Sequence, residues 1–108
     1  MSQSRAKGTR WESRLVLYLT THGFGDAERR ALAGSNDKGD IVGVPGVVFE
    51  AKNAKQIQLA AWIDEMLVEK KNAKASVGVV VFPRRNMATG RAYCVMELDQ
   101  LIEMLSDE

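Results

Sequence analysis

Asp40, Glu50 and Lys52 stand within one short segment, Gly39-Asp40-Ile41-Val42-Gly43-Val44-Pro45-Gly46-Val47-Val48-Phe49-Glu50-Ala51-Lys52. Side chains alternate faces along a strand, so Val48, Glu50 and Lys52 share one face of 47–52 and Val47, Phe49 and Ala51 the other. The second set suits a core. Pro45-Gly46 supports a tight turn, and the returning chain brings Asp40 across from Glu50. Two carboxylates held close repel unless a cation lies between them. A hard divalent ion such as Mg²⁺ takes oxygen ligands and keeps several waters, one of which can attack an ester of phosphoric acid. Lys52 beside them can orient that water or offset charge developing on a phosphate. Glu12 is the remaining acid placed to join the set. The blander alternative is a same-face surface pair, Glu50 with Lys52, and Asp40 as an ordinary turn residue.

The elements that would position these groups follow from pattern. Thr9 to Thr21 predicts a helix, with Thr9 as cap and Glu12 at its third position, a Thr-x-x-Glu capping box. Trp11, Leu15, Tyr18 and Leu19 recur at helical spacing as its buried face, and Gly23 ends it. Residues 1–8 read as a flexible basic arm. Residues 27–33 read as a strand, Gly34 to Gly39 as a turn-rich loop, and 40–43 and 47–52 as a β-hairpin. Ile57 to Asn72 predicts a second helix, with Leu59, Ile63, Met66 and Lys70 along one side and Trp62 beside them. Ser76 to Phe82 is a β-branched run of the kind buried on both faces of a sheet. Pro83 to Gly90 is a basic loop, Arg91 to Met96 a strand, and Leu98 to Leu105 a closing helix. The expected fold class is α/β, a mixed sheet flanked by helices in the order α-β-β-β-α-β-β-α.

With 108 residues and 45% hydrophobic content, the chain reads as one domain able to bury a core without staples. The net charge is +1, but residues 97–108 hold five acids and no Lys or Arg, leaving the first 96 residues at +6. A cationic body with a separate acidic helix is compatible with a nucleic-acid partner or with a plain solvated surface. Arg5, Lys7, Arg10, Arg29, Arg30, Lys55, Arg84 and Arg85 are the candidate phosphate contacts, which would position a duplex without reading its sequence. Cys94, alone in an apolar run, reads as a small buried hydrophobe. With no apolar leader or span, a soluble cytoplasmic protein is expected. No Gly-Lys-Ser/Thr phosphate loop is present, which argues against a nucleotide cofactor. His22, the single histidine, suits the end of the first helix. Trp11 and Trp62 read as core or interface residues.

The pattern resembles the PD-(D/E)XK nuclease superfamily and, over residues 5–105, the small Holliday junction resolvases of archaea and their phage-encoded relatives. The matching residues are Lys7-Gly8, Glu12, Gly34-Ser35, Asp40-Ile41 and Glu50-Ala51-Lys52; Gly39 replaces the proline for which the superfamily is named. The resemblance implies a restriction-endonuclease-like fold and Mg²⁺-dependent hydrolysis of DNA, with Mn²⁺ able to substitute. It implies metal ligation by Asp40, Glu50, the Ala51 carbonyl and Glu12, with Lys52 serving the attacking water. It further implies a homodimer acting on four-way junctions, whose two-fold symmetry suits paired cuts. Some superfamily members carry a glutamine where Gln58 stands, near the catalytic lysine; a plain polar first-turn residue is the equal alternative. Nicking or branched-DNA cleavage by the same fold, and a non-catalytic DNA-binding module, are the competing expectations.

Overall fold

The first helix, α1, runs from Gln3 to Thr21 in the computed structural model, which describes residues 3–30 and 37–106, with side chains from Ala6 onward. Residues 3–8 are therefore the opening turns of α1. Gln, Arg, Ala and Lys are good helix formers, and only Gly8 counts against them. Thr9 lies inside the helix, so the expected capping box does not form and Glu12 is left for other partners. Trp11 and Leu15 are buried and Leu19 partly so, but Tyr18 is exposed and stacks on His22 with ring centroids 3.9 Å apart. His22 Nδ1 lies 2.7 Å from the Tyr18 carbonyl oxygen, placing the ring among the last acceptors of the helix.

Strand β1 (Glu28–Arg29) pairs antiparallel with β2 (Ile41–Val42). Of the strand expected over 27–33, Ala27 and Arg30 flank β1 outside it, and residues 31–33, like Gly34-Ser35, lie outside the described residues. The expected hairpin is corrected: β2 is laddered to β1, and among the described residues the backbone of 40–43 bonds to the next strand only through the Asp40 N–H, which donates to the Phe49 carbonyl at 2.9 Å. The Asp40 carbonyl is already taken by the Arg30 N–H at 2.9 Å, so the β2 backbone faces β1. The turn over Pro45-Gly46 does form, closed by Val47 N–H to Val44 C=O at 3.2 Å.

Strand β3 (Val47–Ala51) is parallel to β4 (Val77–Phe82), and helix α2 (Leu59–Ala73) makes the crossover that a parallel pair requires. Strand β5 (Tyr93–Val95) adds antiparallel to the other edge of β4, giving a mixed sheet in the order β3-β4-β5. A short 3₁₀ turn at Thr89–Arg91 precedes β5. Val79 to Phe82 are all buried, because both faces of the sheet are covered. On one side Trp11, Leu15, Ala27 and Ile41 pack against Val79 and Val81; on the other Trp62 and Met66 pack against Val48, Val80 and Phe82. A β-carbon at Gly78 would collide with the Met66 sulfur, so glycine lets α2 close on β4.

Helix α3 (Leu98–Ser106) buries only Gln100 among the described residues of the helix. The Gln100 side chain accepts from the Gly78 N–H at 2.8 Å and donates to the Gly78 carbonyl at 2.9 Å. Leu98 and Leu105 remain 71% and 68% exposed, with Leu101 and Ile102 beside them. Cys94, on the edge strand β5, is exposed and not buried as its apolar neighbours suggest. No helix among the described residues is long and apolar enough to cross a membrane.

Candidate functional site

The alternation along β3 holds, but the face carrying Glu50 is not open to solvent. Glu50 pairs in register with Val80, and both point under α2; Glu50 is 2% exposed. Asp40 is clipped to β3 on either side of it. The Asp40 N–H donates to the Phe49 carbonyl at 2.9 Å, and its Oδ2 accepts from the Ala51 N–H at 2.7 Å. Gly39, at φ +98°, delivers the chain to this clip where a side chain would crowd Val48 and the Phe49 carbonyl. Arg30 braces the same approach, its Nε donating to the Gly39 carbonyl at 3.0 Å.

Lys52 closes the group from the end of β3. Its Nζ donates to Glu65 Oε2 at 2.8 Å and stands 3.9 Å from Glu50 Oε2. Glu65 and Glu69, one turn apart on α2, are site residues that the sequence reading missed. Glu69 continues the buried stripe of Trp62 and Met66 and is 1% exposed. An acid in phase with a tryptophan and a methionine was the available signal. Asp37 completes the cluster: its Oδ1 accepts from the Gly39 N–H at 3.0 Å, and Asn72 Nδ2 of α2 donates to its carbonyl at 2.8 Å. One oxygen each of Asp37, Glu50, Glu65 and Glu69 lies within 4.8 Å of the others. Glu50 Oε2 and both Glu69 oxygens are buried with no hydrogen-bond partner among the described residues.

The electrostatics follow from this crowding. Burial, then the carboxyls of Asp40, Glu65 and Glu69, push Glu50 far above the carboxylate range, so without a cation it holds a proton. Burial raises Glu69 to about 8, with Asp37 and Asp40 adding to the shift against the opposing effect of Glu50. Glu65 is held below its ordinary value by the Glu50 proton and the Lys52 ammonium, against the effect of burial. Burial opposes the charge on Lys52, but Glu65, Glu50 and Asp40 outweigh it and its pKa is raised.

Of the four residues expected to carry chemistry, Asp40, Glu50 and Lys52 come together. Glu12 stands to one side, its Oε1 accepting from Arg29 Nε at 3.0 Å. Burial raises the Glu12 pKa and Asp40 adds to it, with Arg29 opposing, so Glu12 feels the Asp40 charge. The basic residues divide. Lys7, Lys55, Arg84 and Arg85 line one open groove of about 1020 Å³ that starts at Asn53, the residue after Lys52. Arg14, absent from the expected set, lines it too, and Trp62 and Phe82 form part of its wall. Arg29 and Arg30 instead hold Glu12 and the Gly39 carbonyl, Arg10 is exposed away from the groove lining, and the Arg5 side chain lies outside the described residues. Gln58 is exposed at the N-cap of α2 and makes no capping bond.

Comparison of the chain with protein-family models, curated proteins and solved structures found no match.

Proposed function

We propose that this chain is a metal-dependent endonuclease of restriction-endonuclease-like fold that cuts branched DNA, four-way junctions in particular, as a homodimer. One observation carries the reading: Asp40 is bonded to β3 on both sides of Glu50, with Lys52 Nζ 3.9 Å from Glu50. Two segments are thus locked so that two acids and an amine share one point at the C-terminal end of β3. That is where open α/β sheets hold their ligands.

The donor set fits a hard cation. All available ligand atoms are oxygens, and buried carboxyl oxygens without partners are costly unless a cation or proton meets them. Asp40 and Glu50, with the Ala51 carbonyl and Glu12, would hold Mg²⁺ or Mn²⁺. Such an ion supplies a bound water of lowered pKa and offsets charge on the phosphate. Lys52 stays protonated, because three carboxylates raise its pKa. It therefore serves as a hydrogen-bond donor to water or phosphate oxygen and not as the base. In the hydrolysis a water oxygen bonds to phosphorus, one ester P–O bond breaks, and the departing oxygen takes up a proton.

Five cations along the groove beside Lys52, with no acid in its lining, suit a phosphodiester backbone. The exposed apolar side of α3, Leu98, Leu101, Ile102 and Leu105, supports association of two copies. The test is incubation with a labelled synthetic four-way junction and a matched linear duplex, with and without Mg²⁺, beside Asp40→Asn. Paired nicks in the junction alone, needing both Mg²⁺ and Asp40, are expected. Equal cutting of duplex would leave a nuclease of another substrate, and tight binding without cutting under any divalent metal would leave a binding module.

A further inference from the structure

Glu65 and Glu69 have no place in the reading above, yet Glu69 occupies a position in the packed stripe of α2 where an apolar side chain would serve stability. It is 1% exposed, and apart from the Glu50 carboxyl beside it neither of its oxygens meets a donor among the described residues. Glu50 Oε2, 2% exposed at residue level, is in the same condition and belongs to the same cluster. The oxygens of Asp37, Glu50, Glu65 and Glu69 lie within 4.8 Å of one another. Opposite ligands on one ion stand about twice the metal–oxygen distance apart, roughly 4.2 Å for Mg²⁺ and roughly 4.8 Å for Ca²⁺. The cluster is therefore of the size that a single hard cation spans. It is also built: α2 spaces Glu65 and Glu69 by one turn, and Asn72 and Gly39 fasten the Asp37 segment to it. Lys52, the cation nearest these acids, is bonded to the exposed Glu65 and does not reach Glu69.

We infer that Asp37, Glu50, Glu65 and Glu69 form a divalent-cation site in which α2 supplies half the ligands, beside Asp40 and Glu12 and sharing Glu50 with them. Whether the ion binds does not depend on the nuclease reading; what it does there rests on that reading. Bound in this site, the ion competes with Lys52 for Glu65. Occupancy thereby loosens the Lys52 ammonium toward the groove that begins at the next residue.

The experiment titrates Mn²⁺ into the full chain at pH 8 and reads the electron paramagnetic resonance signal of free Mn²⁺. Wild type, Glu69→Gln, Glu65→Gln and Asp40→Asn are compared, with circular dichroism melts on each. Binding at least tenfold weaker in both α2 variants, with loss of the Mn²⁺-induced rise in melting temperature, is expected. Asp40→Asn is expected to keep that Mn²⁺. Glu65 is exposed, so Glu65→Gln remains decisive if Glu69→Gln does not fold. Wild-type Mn²⁺ affinity in a folded Glu65→Gln, or no Mn²⁺ uptake by the wild type, overturns the site. Junction cutting in the same samples judges the nuclease separately: a wild type that loses Mn²⁺ on Glu69→Gln yet never cuts supports the site and sinks only the nuclease.

Discussion

The two helices that cover the central sheet meet it in different ways. On the α1 side, Trp11 and Leu15 pack onto Val79 and Val81, and the one polar group carried down, Trp11 Nε1, donates to the Val81 carbonyl at 3.1 Å. The acid of that helix turn, Glu12, stays near the surface and is answered by Arg29. On the α2 side, Trp62 and Met66 pack equally well, but the next residue of the stripe is Glu69, and it faces Glu50. Among the described residues one face satisfies what it buries, and the other leaves three carboxyl oxygens with no partner outside the acidic cluster itself. Such a deficit lowers stability unless a proton or a metal meets it, and for that reason the proposed site is placed on that face.

The sharpest way to test the contrast is through activity. Asp40→Asn is expected to cut junction cleavage by about a thousandfold or more, roughly 4 kcal/mol of transition-state stabilisation, while leaving the melting temperature close to that of wild type. Lys52→Ala is expected to lose about a hundredfold, as for removal of one charge-stabilising donor. Next in size is the α1 face. Trp11→Ala should cost about 3–5 kcal/mol in urea unfolding through a cavity and the loss of one of the two donors, Trp11 Nε1 and the Lys52 N–H, that the Val81 carbonyl meets. A smaller loss would mean that α1 contributes less to the core than its burial implies.

The opposite sign is expected across the sheet. Glu69→Met, which continues the apolar stripe, should stabilise the metal-free protein by about 1–4 kcal/mol. If it destabilises instead, the buried acid is satisfied by something on the α2 side and the contrast fails. A related effect appears in pH. Glu69 is raised from 4.5 to about 8, so the folded chain binds more protons than the unfolded chain in that window. The metal-free melting temperature should therefore fall as pH rises from about 4.5 through about 8, with Glu50 adding a slope of the same sign. Glu69→Met should flatten that fall. The smallest effect belongs to Arg29→Ala, expected to cost less than about 1 kcal/mol because the Glu12 pair is solvent-accessible.

Much of the sheet could be read from residue types. The run SVGVVVF admits few structures other than a strand buried on both faces, and β4 occupies Val77–Phe82 within it. The strand carrying Glu50, with its alternation and its Pro-Gly turn, was equally legible, and so was the approach of Asp40. What escaped the reading depended on tertiary contact. The first turns of α1 have no apolar rhythm, and only propensity speaks for them. Cys94 sits in a sequence that does not tell an edge strand from a central one. Glu65 looks like an ordinary solvent-facing acid on a helix, and Glu69 is marked in the sequence only by its phase with Trp62 and Met66. Only the rotation of α2 over β3, set by Trp62 and Met66 seating on Val48 and Val80, turns Glu69 inward.

The Gln100 clamp has a dynamic consequence. Beyond the end of β5, a side-chain amide replaces the missing strand as the partner of Gly78, and it is the one buried side chain of α3 among its described residues. Docking of that helix is therefore reported by a single backbone amide in the middle of the sheet. Gly78 should exchange its hydrogen with solvent at the rate at which α3 lifts away, faster than its neighbours Val79 and Val80 in the same strand. Any partner that covers Leu98 and Leu105 should slow that one amide before it slows the rest of β4.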